Sequence, residues 1–148
     1  MLALVQRVAR ARVEVAGERV GEIGRGLLAF VCAEPGDTVA IADKLVARLL
    51  KLRVFADAAG RMNRSLADVQ GGLLVVSQFT LAADTSGGNR PSFSGAAEPV
   101  LAEALYERVL ATARTLHSAP VASGVFGADM QVHLVNDGPV TVPMTLRG

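Results

Sequence analysis

Tryptophan is missing from this chain altogether, and cysteine, histidine and lysine are scarce, at one, two and two residues. Each scarcity removes a class of chemistry. A single thiol, Cys32, cannot close an intrachain disulfide, which fits a reducing compartment. With only His117 and His133 beside it, no ordinary zinc set assembles. No metal and no cofactor are expected. Aromatic residues make up 4% of the chain, so the core must be built from Val, Leu, Ala and Ile. No apolar run approaches the ~20 residues of a membrane span. Arg7, Arg10 and Arg12 are followed by no apolar segment of the kind a secretory leader carries. A cytoplasmic protein with no membrane partner is therefore expected. Acidic and basic side chains nearly cancel, at a net charge of +1. That balance argues against a protein that coats long nucleic acid, yet leaves room for docking one RNA end through a few local arginines. Neither a Gly-x-Ser-x-Gly elbow nor a Walker-type phosphate loop is present.

What the chain does have is apolar patterning. With 148 residues, 51% of them hydrophobic and 20% charged, residues 1–148 fit one folded domain with a real core. Met1 to Val15 alternate with the two-residue period of a strand, Ala3, Val5, Arg7, Ala9, Ala11, Val13 and Val15 sharing a face. Short strands follow at Arg19–Ile23, Leu27–Ala33, Arg53–Ala56 and Leu73–Val76. Two helices interrupt them. The first has Thr38 as N-cap and a stripe at Ile41, Leu45, Leu49 and Leu52; the second spans about Ala96–Leu116. Residues Ser65–Val69 are read as a single helical turn or an irregular segment. Near the end, Phe126, Ala128, Met130, Val132 and Leu134 share a strand face, and Val140, Val142, Met144 and Leu146 continue the alternation. The expected class is α+β, a mixed or antiparallel barrel-like sheet with two main helices.

Three places break the pattern in ways that invite chemistry. Ser77-Gln78-Phe79-Thr80-Leu81 turns polar where a buried strand gives out, a position where sites are commonly built. Its residues serve either as a plain strand terminus or as a pocket wall, and Thr80 has no identifiable base to activate it as a nucleophile. Arg7 places a charge on an otherwise apolar face, which marks either a bulge, a side chain snorkelling at the sheet rim, or a group that binds backbone carbonyls or a carboxylate. Asn136-Asp137-Gly138-Pro139-Val140-Thr141 sets a Gly-Pro pair between two alternating patterns. Proline cannot donate to a ladder, and glycine lets backbone approach a surface closely, so this is either a turn or a contact device.

Read together, these segments resemble the D-aminoacyl-tRNA deacylase family. The resemblance is carried in order by Val5-Gln6-Arg7-Val8, Gly21-Glu22-Ile23-Gly24, Asn63 before Ser65, and Ser77 to Leu81. Asn89-Arg90-Pro91-Ser92-Phe93, Ser123 to Met130 and Asn136 to Thr141 complete it. An animal relative differs at both main motifs, whereas this chain keeps the bacterial-type pair. The resemblance implies hydrolysis of the ester of D-aminoacyl-tRNA and mischarged glycyl-tRNA, as chiral proofreading in translation. It implies a homodimer in which Gly138-Pro139, joined by a cis bond and fixed by Arg7, enters the partner's pocket and excludes L side chains. Gln78, Phe79 and Thr80 are then the catalytic wall, acting mainly through backbone N–H groups with help from the tRNA 2′-hydroxyl. Phe126, Gly127, Ala128 and Met130 are implied to hold the terminal adenosine. The loop Thr85 to Arg90 is poorer in basic residues than is usual for the family, which bears on how it meets the acceptor stem. Two other functions fit the same residues: a Thr80-dependent hydrolase of small esters or amides, and a non-catalytic module that binds the tRNA 3′ end.

Overall fold

The computed structural model describes residues 1–148. Its spine is β1 (Leu2–Val15), fourteen consecutive extended residues. Strand β8 (Met130–Thr145) runs antiparallel along all of it. On β1's other pairings, β2 (Glu18–Ile23) takes the second half and β3 (Gly26–Cys32) the first. The sheet then continues in parallel through β6 (Gly72–Ser77) to β7 (Val121–Ser123). A small separate hairpin joins β4 (Phe55–Ala56) to β5 (Met62–Arg64). The mixed sheet agrees with the class expected from sequence, and its parallel strands follow from the helical crossovers between them.

One strand serves two cores. The two-residue alternation expected through Val15 holds for Ala3 and Val5 but fails after Arg7, where Val8 is fully buried and Ala9 is exposed. The register against β8 shifts on both sides of Val8, and such bulges rotate the following side chains to the other face. Ala3 and Val5 therefore pack with Leu27, Ala29, Leu73 and Val75 beneath the helices. Val8, Ala11 and Val13 pack instead with Ile23, Leu28, Leu74 and Val76 inside the curled sheet. The curl is nearly a closed barrel because β2 lies against β7. A Cβ on Gly21 would stand 2.3 Å from the Ser123 carbonyl oxygen, so only glycine admits that approach.

Helix α1 (Val39–Lys51) starts where Thr38 accepts a hydrogen bond from the Ile41 N–H at 3.3 Å, as the sequence predicts. It buries Ile41, Ala42, Leu45, Val46, Leu49 and Leu50. A one-turn helix, α2 (Leu66–Val69), is closed by a capping box of Ser65 and Asp68. Helix α3 (Pro99–Leu116) begins three residues later than the periodicity predicts, because proline favours the first helical position and disfavours helix before it. Its buried face is Leu105, Tyr106, Val109, Leu110 and Ala113. His117 ends α3 as a buried structural residue, its Nε2 2.7 Å from the Gly71 carbonyl oxygen. His133 is exposed beside Glu14, at 3.5 Å.

The two long helices are joined by a bidentate ion pair, in which Arg108 donates to both Asp43 oxygens at 2.8 and 2.9 Å while Thr112 donates at 2.8 Å. These bonds hold the Asp43 carboxyl down at about 2, below its ordinary 3.8. A depressed carboxylate stabilises the fold fully above its unfolded pKa and loses that contribution as pH falls through the folded one. Asp43→Asn is therefore expected to flatten the acid limb of the stability profile between about pH 4 and pH 2, read from thermal melts across that range.

Candidate functional site

The buried strand β6 delivers Ser77 to the end of the sheet, where the chain changes direction. Gln78 still donates its backbone N–H to the Val31 carbonyl at 2.8 Å, continuing the β3 contact by one residue. Phe79–Ala82 then wind into a 3₁₀ turn, which local sequence pattern does not distinguish from a strand end. The first N–H groups of such a turn have no intrahelical partner, so those of Phe79 and Thr80 are open to a ligand. Phe79 is 57% exposed and stacks edge-on against Phe93, with ring centroids 5.2 Å apart.

Opposite this wall stand residues 126–130. The expected strand over Phe126 and Ala128 is a turn in the structure, since Gly127 has a φ of +76° and the Ala128 N–H closes on the Val125 carbonyl at 3.2 Å. Regular pairing starts only at Met130. The turn keeps the four predicted adenosine residues adjacent, with Phe126, Gly127 and Ala128 outside the sheet and Met130 its first paired residue.

Between the two walls lies a cleft of about 640 Å³. Ser77, Gln78 and Phe79 line one side, Phe126, Gly127, Ala128, Asp129 and Met130 the other, and α3 supplies Ala102 and Tyr106. Apolar walls with a few convergent polar groups are the usual build of a small-ligand site. Thr80 is exposed at the outer end of this wall and is not part of the cleft lining. Its hydroxyl accepts a hydrogen bond from the Gln78 side-chain amide, a donor that cannot serve as a base.

The thiol and the phenol of the cleft are poorly suited to nucleophilic attack. Burial pushes the Cys32 thiol up, and its Sγ faces the carbonyl oxygens of Ala33 and Phe79 at 3.5 and 3.6 Å. Burial likewise pushes the Tyr106 phenol up to about 12, and its O–H donates to the Val75 carbonyl at 2.9 Å. Both stay protonated at neutral pH. Phe93 and Tyr106 were missing from the sequence-based site. Phe93 closes the segment Asn89 to Phe93, to which the resemblance assigns no role, and nothing in a helical stripe marks Tyr106 as facing a cleft.

Gly138-Pro139 and Arg7 form a second locus. The bulge that breaks β1 is matched by an excursion of β8: Gln6 pairs with Thr141 and Val8 with Asn136, leaving the intervening residues outside the ladder. The motif thus projects from one continuous strand rather than turning between two. The Gly138–Pro139 bond is cis. Both residues are exposed and neither lines the cleft.

The excursion is clamped from behind at two points. Arg7 donates from Nε to the Asp137 carbonyl at 2.8 Å and from Nη1 to the Val54 carbonyl at 2.6 Å, so its anomalous charge is met by two backbone oxygens. Asn136 closes the base, accepting the Val140 N–H at 2.7 Å and donating to the Thr141 hydroxyl at 3.0 Å. Gly138 has a φ of +154°, and a Cβ there would stand 2.8 Å from the Val140 nitrogen and 3.3 Å from Arg7 Nη2. Only glycine fits between the motif and its clamp.

Comparison with known proteins places these features in a family. Proteins named D-aminoacyl-tRNA deacylase from Methylibium petroleiphilum and Aromatoleum aromaticum are each 70% identical to this chain, over 99% of it and 95% of their own length. A solved structure titled c-Myc DNA Unwinding Element Binding Protein superimposes with a TM-score of 0.94 at 40% identity, over all of both chains. A probable eukaryotic D-amino acid tRNA deacylase shares the fold, with a TM-score of 0.80 at 19% identity over 97% of each chain. The family model described as D-Tyr-tRNA(Tyr) deacylase matches residues 4–145, so the chain belongs to the D-Tyr-tRNA(Tyr) deacylase family.

Proposed function

We propose that this protein hydrolyses the ester bond of D-aminoacyl-tRNA, and of mischarged glycyl-tRNA, in the cytoplasm, and that it does so as a homodimer. The observation that carries the reading is the separation of the two loci. An apolar cleft has the open Phe79 N–H in its wall, while a rigidly clamped, exposed Gly-Pro excursion lies outside it and finds no target in its own chain. A second copy supplies that target. The outer edge of β8, sixteen residues long and paired only to β1, supports this, because unpaired edges are templates for another chain.

In the assembled site, Phe126, Gly127, Ala128 and Met130 hold the terminal adenosine by stacking and backbone contacts. The ester carbonyl then lies against the Phe79 and Thr80 N–H groups, which stabilise negative charge as it develops. Carbonyls of the partner's Gly-Pro loop take the α-amino group of the aminoacyl moiety. With the ammonium fixed there, an L side chain is directed into the loop and a D side chain away from it. Glycine, lacking a Cβ, passes. Selectivity comes from exclusion rather than from a pocket for the D side chain. The nucleophile is water, activated by the ribose 2′-hydroxyl adjacent to the ester, so positioning replaces a catalytic triad.

Two measurements test the reading. Charged D-Tyr-tRNA is expected to lose its amino acid faster with the protein than without it; binding with no turnover would reduce the protein to a 3′-end binding module. A dimer mass is expected in solution at micromolar concentration, and a clean monomer would sink the two-chain site.

A further inference from the structure

Charge is distributed unevenly over this nearly neutral chain. Residues 48–64 carry five cationic side chains, Arg48, Lys51, Arg53, Arg61 and Arg64, and one acid, Asp57, for a net charge of +4. The remainder carries ten cationic and thirteen acidic residues, for a net charge of −3. All five cationic residues of the segment are exposed. They surround the β4–β5 hairpin, whose second strand is exposed at all three positions, with Met62 at 59%.

The single acid in this segment is already engaged. Asp57 accepts the backbone N–H groups of Ala59 and Arg61 at 2.9 and 3.0 Å and the Asn63 amide at 3.2 Å, bonds that hold its carboxyl below the usual range. Asp68, the neighbouring acid, is spent in its capping box with Ser65. Both carboxylates keep their charge, and Asp68 attracts Arg64 and Arg53 from nearby, but none of the five cations forms an ion pair. Arg53 bonds the Asn63 carbonyl and amide, and Arg64 the Asp68 carbonyl at 3.1 Å. Arg25 lies over the Phe55 ring, 5.3 Å from its centroid. These three guanidinium groups are oriented by uncharged groups and keep their net charge, which is the build of a surface that meets phosphates.

Position gives the surface a use. Arg7 holds the Val54 carbonyl, one residue before β4, and the Asp137 carbonyl of the Gly-Pro excursion with one guanidinium. The basic hairpin and the motif are thus mounted on the same clamp. We propose that the β4–β5 hairpin is the docking surface for the phosphate backbone of the substrate tRNA's acceptor stem, contributed by the subunit that donates the Gly-Pro motif. This rests on the deacylase reading above. As the motif enters the partner's cleft at the 3′-terminal adenosine, it carries the hairpin to the cleft mouth, where the RNA duplex begins. The contact is to backbone and is independent of base sequence. It also relieves the Lys-poor loop at residues 85–90 of sole responsibility for gripping the stem.

The test compares two double variants of equal charge in the full-length protein: Arg61→Gln with Arg64→Gln, and, as a control remote in sequence, Arg19→Gln on β2 with Arg114→Gln on α3. Binding of a synthetic acceptor-stem hairpin RNA with a single-stranded 3′ end is titrated over a series of salt concentrations. Losing two phosphate contacts is expected to make the slope of log K against log salt shallower by about 1.5–2 and to weaken low-salt binding roughly tenfold or more. The control pair is expected to leave the slope unchanged. Arg48→Gln with Lys51→Gln, on α1, provides a second hairpin-side pair should the first fail to melt as a folded protein, with the same shallower slope expected. Equal slopes for all pairs would overturn the proposal, since the attraction would then be diffuse. A hairpin pair that loses its dimer mass with an unchanged slope would also overturn it, assigning the surface to the second copy. Absence of D-Tyr-tRNA deacylation by the unmodified protein would instead sink the deacylase reading, and the binding titration distinguishes the two failures.

Discussion

Replacing the 2′-hydroxyl of the substrate's terminal ribose by hydrogen is expected to slow deacylation by about 10²–10⁴-fold, the usual contribution of a positioned acid–base group. Thr80→Ala is expected to change the rate only a few-fold. Both expectations follow from what the cleft lacks. Its thiol and its phenol are held protonated by burial, and the Thr80 hydroxyl accepts from an amide rather than donating to a base. A threonine without an activating partner is a weak nucleophile. An aminoacyl ester is already reactive, so in the proposed mechanism a hydroxyl adjacent to it, together with aligned backbone N–H groups, supplies what the side chains do not. Rates are to be measured in single turnover on D-Tyr-tRNA with ribo- and deoxy-terminated 3′ ends. A dead threonine variant combined with normal processing of the deoxy substrate would establish the opposite mechanism, a Thr80-dependent hydrolase.

The second large effect is expected from Arg7→Ala, which should erode the discrimination between D- and L-aminoacyl-tRNA. The side chain bonds two carbonyls at 2.8 and 2.6 Å and braces the Gly-Pro excursion against the body of the domain. A filter that works by exclusion is only as strict as its backbone is fixed. Removing one charged hydrogen bond costs ~1–3 kcal/mol, which narrows the D-to-L rate ratio by roughly one to two powers of ten. The loss is expected to arise mainly from faster L-Tyr-tRNA cleavage, because the proposed adenosine contacts at Phe126 to Met130 do not involve Arg7. Arg7→Lys is expected to recover only part of the discrimination, as a single ammonium cannot reproduce a planar fork spanning two oxygens. An unchanged ratio in a stable dimer would make Arg7 a purely structural residue.

Much of the scaffold was legible from local pattern. Thr38 announced the start of α1, and Ile41, Leu45 and Leu49 its buried face, because capping and the 3.6-residue stripe depend on neighbours a few positions away. The buried strands at Leu27 and Leu73 were equally plain. Arg7 and Gly138-Pro139 stood out as anomalies, though the sequence by itself left open what each one does. Only the tertiary structure decided that Arg7 reaches the Asp137 carbonyl 130 residues away and the Val54 carbonyl 47 residues away. It also decided that β1 changes face at Val8, that Phe126 to Asp129 form a turn rather than a strand, and that α3 sets Tyr106 against the cleft. The reason is physical. Periodicity is written into the identities of side chains that are close in sequence, whereas every residue carries a carbonyl, and a distant guanidinium finds the right one only after the fold has brought it there.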